Sequence, residues 1–151
     1  MPKSCIVDSG ALVALLDPRE EHHVWAREAF ARQPLPWLTC ESVLSEALFL
    51  LHEPHISALD QLLRGAHLRL ALNLADELPQ VLDLRAKYAD VPMSLADACL
   101  VRMSETLPDP VVLTTDADFK IYRRHSRQVV PCQLPWNSHY CRHYEKRPGH
   151  F

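Results

Sequence analysis

The sequence predicts an α/β fold, a mostly parallel sheet sandwiched between helices, on three observations. Short apolar or β-branched runs alternate with longer segments of helical periodicity over residues 4–131. The runs Ser4 to Val7 and Val111 to Leu113 are apolar and bounded by turn or polar residues, as core strands of a parallel sheet are. Carboxylates stand where these strands stop: Asp8 directly after the first, Asp116 and Asp118 just past the second. In parallel sheets, ligands gather at the carboxyl ends of the strands.

Ser4 to Val7 is the first strand, and Ser9-Gly10 opens a helical segment, Ala11 to Leu16, broken by Asp17-Pro18. His22 to Gln33 resumes a helical pattern through Val24, Trp25, Ala29 and Phe30, closed by Pro34 and Pro36. Trp37 to Thr39 is a weak second strand. Ser42 to His52 follows, with Val43, Ala47, Leu50 and Leu51 on one helical face and Glu46 at its edge. Ile56 to Arg64 reads as a short helix stopped by Gly65, and Leu68 to Leu72 as a strand. Asp76 to Tyr88 is amphipathic through Leu78, Val81, Leu82, Arg85 and Tyr88, and Ser94 starts a helix running to about Glu105. The Val111 strand, a basic helix at Phe119 to His125 and a last strand at Gln128 to Val130 close the pattern. Beyond Pro131 the periodicity disappears. The expected organisation is therefore one domain over 1–131 and an irregular, basic, Cys- and His-containing extension over 132–151.

At 151 residues the chain is long enough for one substantial core, and 48% hydrophobic with 23% charged residues excludes bulk disorder. No apolar run reaches membrane-spanning length and the first 16 residues lack signal-peptide features, so the expected location is cytoplasmic, with no membrane partner. The 5 cysteines are widely spaced, with three inside apolar patterns, which argues against a disulfide framework. Charge is divided along the chain. Residues 1–118 hold 9 Lys and Arg against 18 Asp and Glu; residues 119–151 hold 7 against 1. An acidic centre beside a basic flank suits a metal site next to a phosphate-binding surface, and a solvated tail gives the same count.

Five acids sit beside apolar elements: Asp8, Glu46, Asp97, Asp116 and Asp118. Each has an ordinary explanation as well. Asp8 and Asp118 suit helix N-caps, Glu46 a solvated helix edge, and Ser94 to Asp97 has capping-box spacing. As a set they are harder to explain, because carboxylates crowded into one pocket repel unless a cation neutralises them.

The segments IVDSGALVALLD (6–17), SVLSEALFLL (42–51), MSLADACLVRM (93–103) and VLTTDADFKIYR (112–123) resemble the four acidic motifs of the PIN domain family, closest in flavour to VapC-type toxin ribonucleases. The resemblance covers about residues 4–131. It implies a three-layer α/β/α sandwich with a mostly parallel sheet of about five strands and an acidic pocket at their carboxyl ends. It also implies roles for these residues. Asp8, Glu46, Asp97 and Asp116 match the family's catalytic, metal-binding acids, with Asp118 as an auxiliary metal ligand and Ser9, Ser94 and Thr115 as supporting polar neighbours. The implied activity is endoribonucleolytic hydrolysis of RNA phosphodiester bonds assisted by Mg²⁺ or Mn²⁺, leaving a 5′-phosphate and a 3′-hydroxyl. Lys120, Arg123, Arg124 and Arg127, just after the fourth motif, are candidates for binding flanking RNA phosphates or, equally, a solvated face. The expected partners are an RNA substrate, an antitoxin protein and a second copy of the chain in a homodimer.

Three other readings are open to the same sequence. Asp8 at a strand end also resembles the nucleophile of haloacid-dehalogenase-type phosphatases, but those enzymes need a second Asp two residues on, where Gly10 stands. A non-cleaving PIN-like module that holds RNA or protein is the main alternative, and the presence of all four main acids argues against it. In the tail, Cys132, His139, Cys141 and His143 offer zinc-type ligands at a spacing unlike that of known fingers.

Overall fold

A computed structural model describes residues 2–137. Strand β1 (Ser4–Val7) leads into α1 (Ser9–Leu16) and α2 (His23–Ala31); β2 (Trp37–Thr39) is followed by α3 (Glu41–Leu50) and α4 (His55–Arg64). After β3 (Leu68–Leu70) come α5 (Leu74–Lys87), α6 (Leu95–Thr106) and β4 (Pro110–Leu113). A 3₁₀ turn (Ala117–Lys120), the short strands β5 (Arg123–Arg124), β6 (Gln128–Val129) and β7 (Cys132–Gln133), and a last 3₁₀ turn (Pro135–Asn137) complete the described chain.

The main sheet has five strands in the order β3-β2-β1-β4-β7, and every pairing in it is parallel. β1 and β4 are its centre, in register from Ser4 opposite Pro110 to Val7 opposite Leu113. Both are buried along their whole length. The period-2 alternation of strand side chains sorts them into two cores. Ile6 and Val112 pack with α5 and α6 through Val81, Leu100 and Met103. Cys5, Val7 and Leu113 pack on the other face with Leu12, Phe30 and Leu59 of α1, α2 and α4. The result is a three-layer α/β/α sandwich. Helix α3 bridges the two cores, placing Val43 in the first and Ala47 and Leu51 in the second.

Strands β2 and β3 extend the sheet from one side of β1, and β4 and β7 from the other. The strand order therefore reverses between β1 and β4, which is where open α/β sheets leave a crevice at their carboxyl ends.

Local differences from the sequence reading have identifiable causes. The basic segment expected as a helix forms only the 3₁₀ turn at Ala117–Lys120, and the chain then reverses through His125 and Ser126 at φ 48° and 66°. This left-handed turn, made without glycine, pairs β5 with β6 as an antiparallel hairpin. Gln128–Val129 consequently does not join the main sheet. The strand closing that sheet is β7, with Cys132 opposite Val112 and the Val112 N–H donating to the Pro131 carbonyl at 2.9 Å. On α3, Leu50 is exposed instead of buried, as are Leu78 and Leu82 on α5. Cys5, Cys40 and Cys99 are buried free thiols and Cys132 is a half-buried one. Among the described residues no helix is long and apolar enough to cross a membrane. His139, Cys141 and His143 of the suggested zinc set lie outside the described residues.

Candidate active site

Asp8 is the first residue past β1 and the N-cap of α1, and its N–H donates to the Leu113 carbonyl at 3.0 Å, so it is clamped between the two central strands. One carboxylate oxygen, Oδ1, accepts the Ser9 N–H at 2.7 Å; the other, Oδ2, accepts the Thr114 hydroxyl at 2.6 Å. The Ser9 hydroxyl donates to Glu46 Oε2 at 2.8 Å and links the first acid to the second. Glu46 reaches this point from the half-buried edge of α3.

Ser94 caps α6, its hydroxyl accepting the Asp97 N–H at 3.0 Å. The Ser94 half of the capping box is thus formed at this position, but it does not use up Asp97. Asp97 Oδ2 accepts a hydrogen bond from the fully buried Tyr122 hydroxyl at 2.9 Å. Past β4, the Thr114 hydroxyl accepts the Asp116 N–H at 3.0 Å, and Asp116 Oδ1 accepts the Asp118 N–H at 2.9 Å. The cap of the 3₁₀ turn is therefore Asp116, where the sequence suggested Asp118. Phe119 anchors that turn in the core; burying a large apolar side chain is worth roughly 1.5–3 kcal/mol.

These elements bring Asp8, Glu46, Asp97, Asp116 and Asp118 to the wall of one pocket of about 340 Å³, at the place where the strand order reverses. Ser9, Ser94 and Thr115 line it too. A Cβ at Gly10 would collide with the Thr115 hydroxyl, so a larger residue there would have to displace the Thr115 side chain.

Electrostatics match this crowding. Burial pushes the Asp8 carboxyl from 3.8 up to about 7; the Thr114 and Ser9 hydrogen bonds pull it down, and the Asp97 and Asp116 charges push it further up. Asp97 is raised by burial and by Asp116, against hydrogen bonds from Tyr122 and Ser94. Asp118 is raised by desolvation and by Asp116. Burial and the Asp97 charge push the Tyr122 phenol well above its ordinary value, so it stays a proton donor toward Asp97.

Two contributors were not singled out in the sequence. Thr114, not its neighbour Thr115, holds both Asp8 and Asp116, and Tyr122 holds Asp97. The signal for Thr114 was its place as the first polar residue after a buried strand; Tyr122 had none beyond its nearness to the fourth motif. None of Lys120, Arg123, Arg124 and Arg127 is among the pocket's lining residues. Arg123 Nη1 donates to the carbonyls of Lys120, Ile121 and Tyr122, and Arg124 contacts His125, while Lys120 and Arg127 are exposed. Among the described residues, no three or more His, Cys, Asp or Glu side chains are already arranged to hold one ion.

Fold and site together define a three-layer α/β/α protein with an acidic pocket at the switch point of a parallel sheet. The PIN domain family profile matches residues 5–124, and the chain belongs to the PIN domain family. A search of curated proteins finds none that matches.

Proposed function

We propose that the chain is an endoribonuclease that hydrolyses RNA phosphodiester bonds with Mg²⁺ or Mn²⁺ held by Asp8, Glu46, Asp97 and Asp116, and by Asp118 as an auxiliary ligand. The observation carrying this reading is the convergence of five carboxylates on one pocket in which burial and like charges raise Asp8 to about 7. Repulsion of this kind is relieved by a cation, and an all-oxygen donor set selects hard ions such as Mg²⁺ and Mn²⁺. The acids fit such an ion chemically, and their side chains would have to draw together to hold it.

A bound divalent ion would supply a hydrolytic water of lowered pKa and would screen the phosphate charge. The chain's own residues do the positioning. Thr114 and Ser9 hold Asp8 at the pocket floor, Ser9 couples it to Glu46, and Tyr122 and Ser94 orient Asp97. No side chain needs to form a covalent bond to substrate. Attack in line with the 3′-oxygen then leaves a 5′-phosphate and a 3′-hydroxyl. Exposed Lys120 and Arg127 remain available for phosphates farther along the RNA.

The finer reading is a toxin ribonuclease paired with an antitoxin protein and acting as a homodimer. A small upstream gene encoding a DNA-binding start and an apolar end would support it.

The test is RNA cleavage in defined metal. Activity should vanish in EDTA, return with Mg²⁺ or Mn²⁺ without Zn²⁺, and be lost in Asp116→Asn. Cleavage that persists in Asp116→Asn and EDTA would overturn the proposal. Tight RNA binding without cleavage in either metal would favour the non-cleaving module instead.

A further inference from the structure

Phe49 is 87% exposed, more than any other large hydrophobic side chain among the described residues. It stands one helical turn past Glu46 on α3 and, with Ser45, Glu46 and Leu50, lines a hollow of about 390 Å³. Glu46 is a wall of both this hollow and the acidic pocket, so the two adjoin. Pro92 is likewise shared between the acidic pocket and a third hollow that Arg85 and Met93 help to line. The acidic pocket therefore shares one wall residue with each of two neighbouring hollows, one carrying Phe49 and the other Arg85.

Holding a phenyl ring in water contributes nothing to folding, and Phe49 belongs to neither core. A partner helix would need a long apolar stripe, whereas this hollow is lined by four residues of α3, with Ser45 and Glu46 in its wall. Covering it with protein would also strip water from the Glu46 carboxylate. A nucleobase suits it better: it offers a flat π-face to the ring while its own backbone passes the adjoining acidic pocket.

We infer that Phe49 is a stacking platform for one unpaired base beside the scissile phosphodiester, an inference that rests on the ribonuclease reading. It makes Phe49 a specificity-determining residue for single-stranded over duplex RNA, because bases inside a duplex have no free face to present.

The test is steady-state cleavage, in Mg²⁺, of a single-stranded RNA decamer and of a series carrying one abasic nucleotide at each position. Wild type is compared with Phe49→Ala, Phe49→Leu and Phe49→Trp. The expected result is a KM raised about 10-fold or more in Phe49→Ala with kcat little changed, restoration by Trp, and no restoration by Leu. One abasic position should weaken wild type by a similar factor and Phe49→Ala no further. Phe49→Leu behaving as wild type, or losses that add at every abasic position, would overturn the inference while leaving the ribonuclease standing. So would a wild-type dimer that becomes monomeric in Phe49→Ala, which would make the ring a contact between copies. A wild type that does not cut the decamer at all would remove the ribonuclease reading and this inference with it.

Discussion

The Tyr122 hydroxyl donates to Asp97 Oδ2 at 2.9 Å across 25 residues of chain, joining the turn after β4 to the start of α6. Its ring is locked edge-to-face between Tyr88 and Phe119, with centroids 5.2 Å from each. The hydroxyl is thus aimed by the core. Tyr122→Phe keeps the ring and deletes the bond, and we expect a stability loss of about 1–3 kcal/mol. Since that bond holds the Asp97 pKa down, the acid limb of the cleavage profile should move to higher pH in the variant. An unmoved acid limb would make Tyr122 a packing residue only.

Thr114 is the shared support of Asp8 and Asp116. In Thr114→Val the methyl-bearing shape survives, but Asp8 loses a donor and the Asp116 N–H loses its acceptor. Chemical denaturation should show a loss of about 1–3 kcal/mol, recovered for the most part by Thr114→Ser. Thr115→Val, at a residue that only lines the pocket, should cost less than Thr114→Val.

Asp97→Asn separates metal binding from helix capping. Ser94 remains the cap and the Asn side-chain oxygen can still accept from Tyr122, so helix α6 should start normally. Removing one charge from the crowded pocket should leave the metal-free melting temperature equal or higher. Cleavage should fall by orders of magnitude, and Mg²⁺ should raise the melting temperature less than in wild type. Wild-type cleavage together with a wild-type Mg²⁺ shift would take Asp97 out of the site.

The pH dependence of metal-free stability follows from Asp8. Its folded value of about 7 lies above the ordinary 3.8, so between those values the folded protein holds a proton that the unfolded chain has released. Stability from this group must therefore fall as pH rises through that window, by at most about 1.4 kcal/mol per pH unit. Asp17 works in the opposite sense, its carboxyl drawn down to about 2 by Arg19, but only in more acidic solution. In EDTA, the unfolding midpoint should be higher at pH 5 than at pH 8, and Asp8→Asn should flatten that slope. An equal slope in the variant would assign the dependence to other groups.

Much of the architecture was legible because strand and helix periods are local. The runs at 4–7 and 111–113 marked the two central strands, and the acids following them marked the carboxyl end of the sheet. The hairpin at Arg123–Arg124 and Gln128–Val129 was not legible, because its turn places His125 and Ser126 at positive φ without the glycine or asparagine that signals such a conformation. The exposure of Phe49 and Leu50 was hidden too: an all-apolar stretch such as ALFLL has no polar phase to show which side meets water.

By itself the sequence determined the strand and helix order as far as β4, the acids that end the central strands, and the division between an acidic body and a basic end, since each depends on neighbouring residues alone. Only the tertiary structure decided that Glu46 and Asp97, on helices in different parts of the chain, reach the same pocket as Asp8 and Asp116. It also decided between Thr114 and Thr115, and it alone brought Tyr122 to Asp97. The physical reason is the sheet's order reversal between β1 and β4. That crossing sets which strand ends adjoin, and no local pattern encodes a pairing between residues more than a hundred positions apart, such as Asp8 and Thr114.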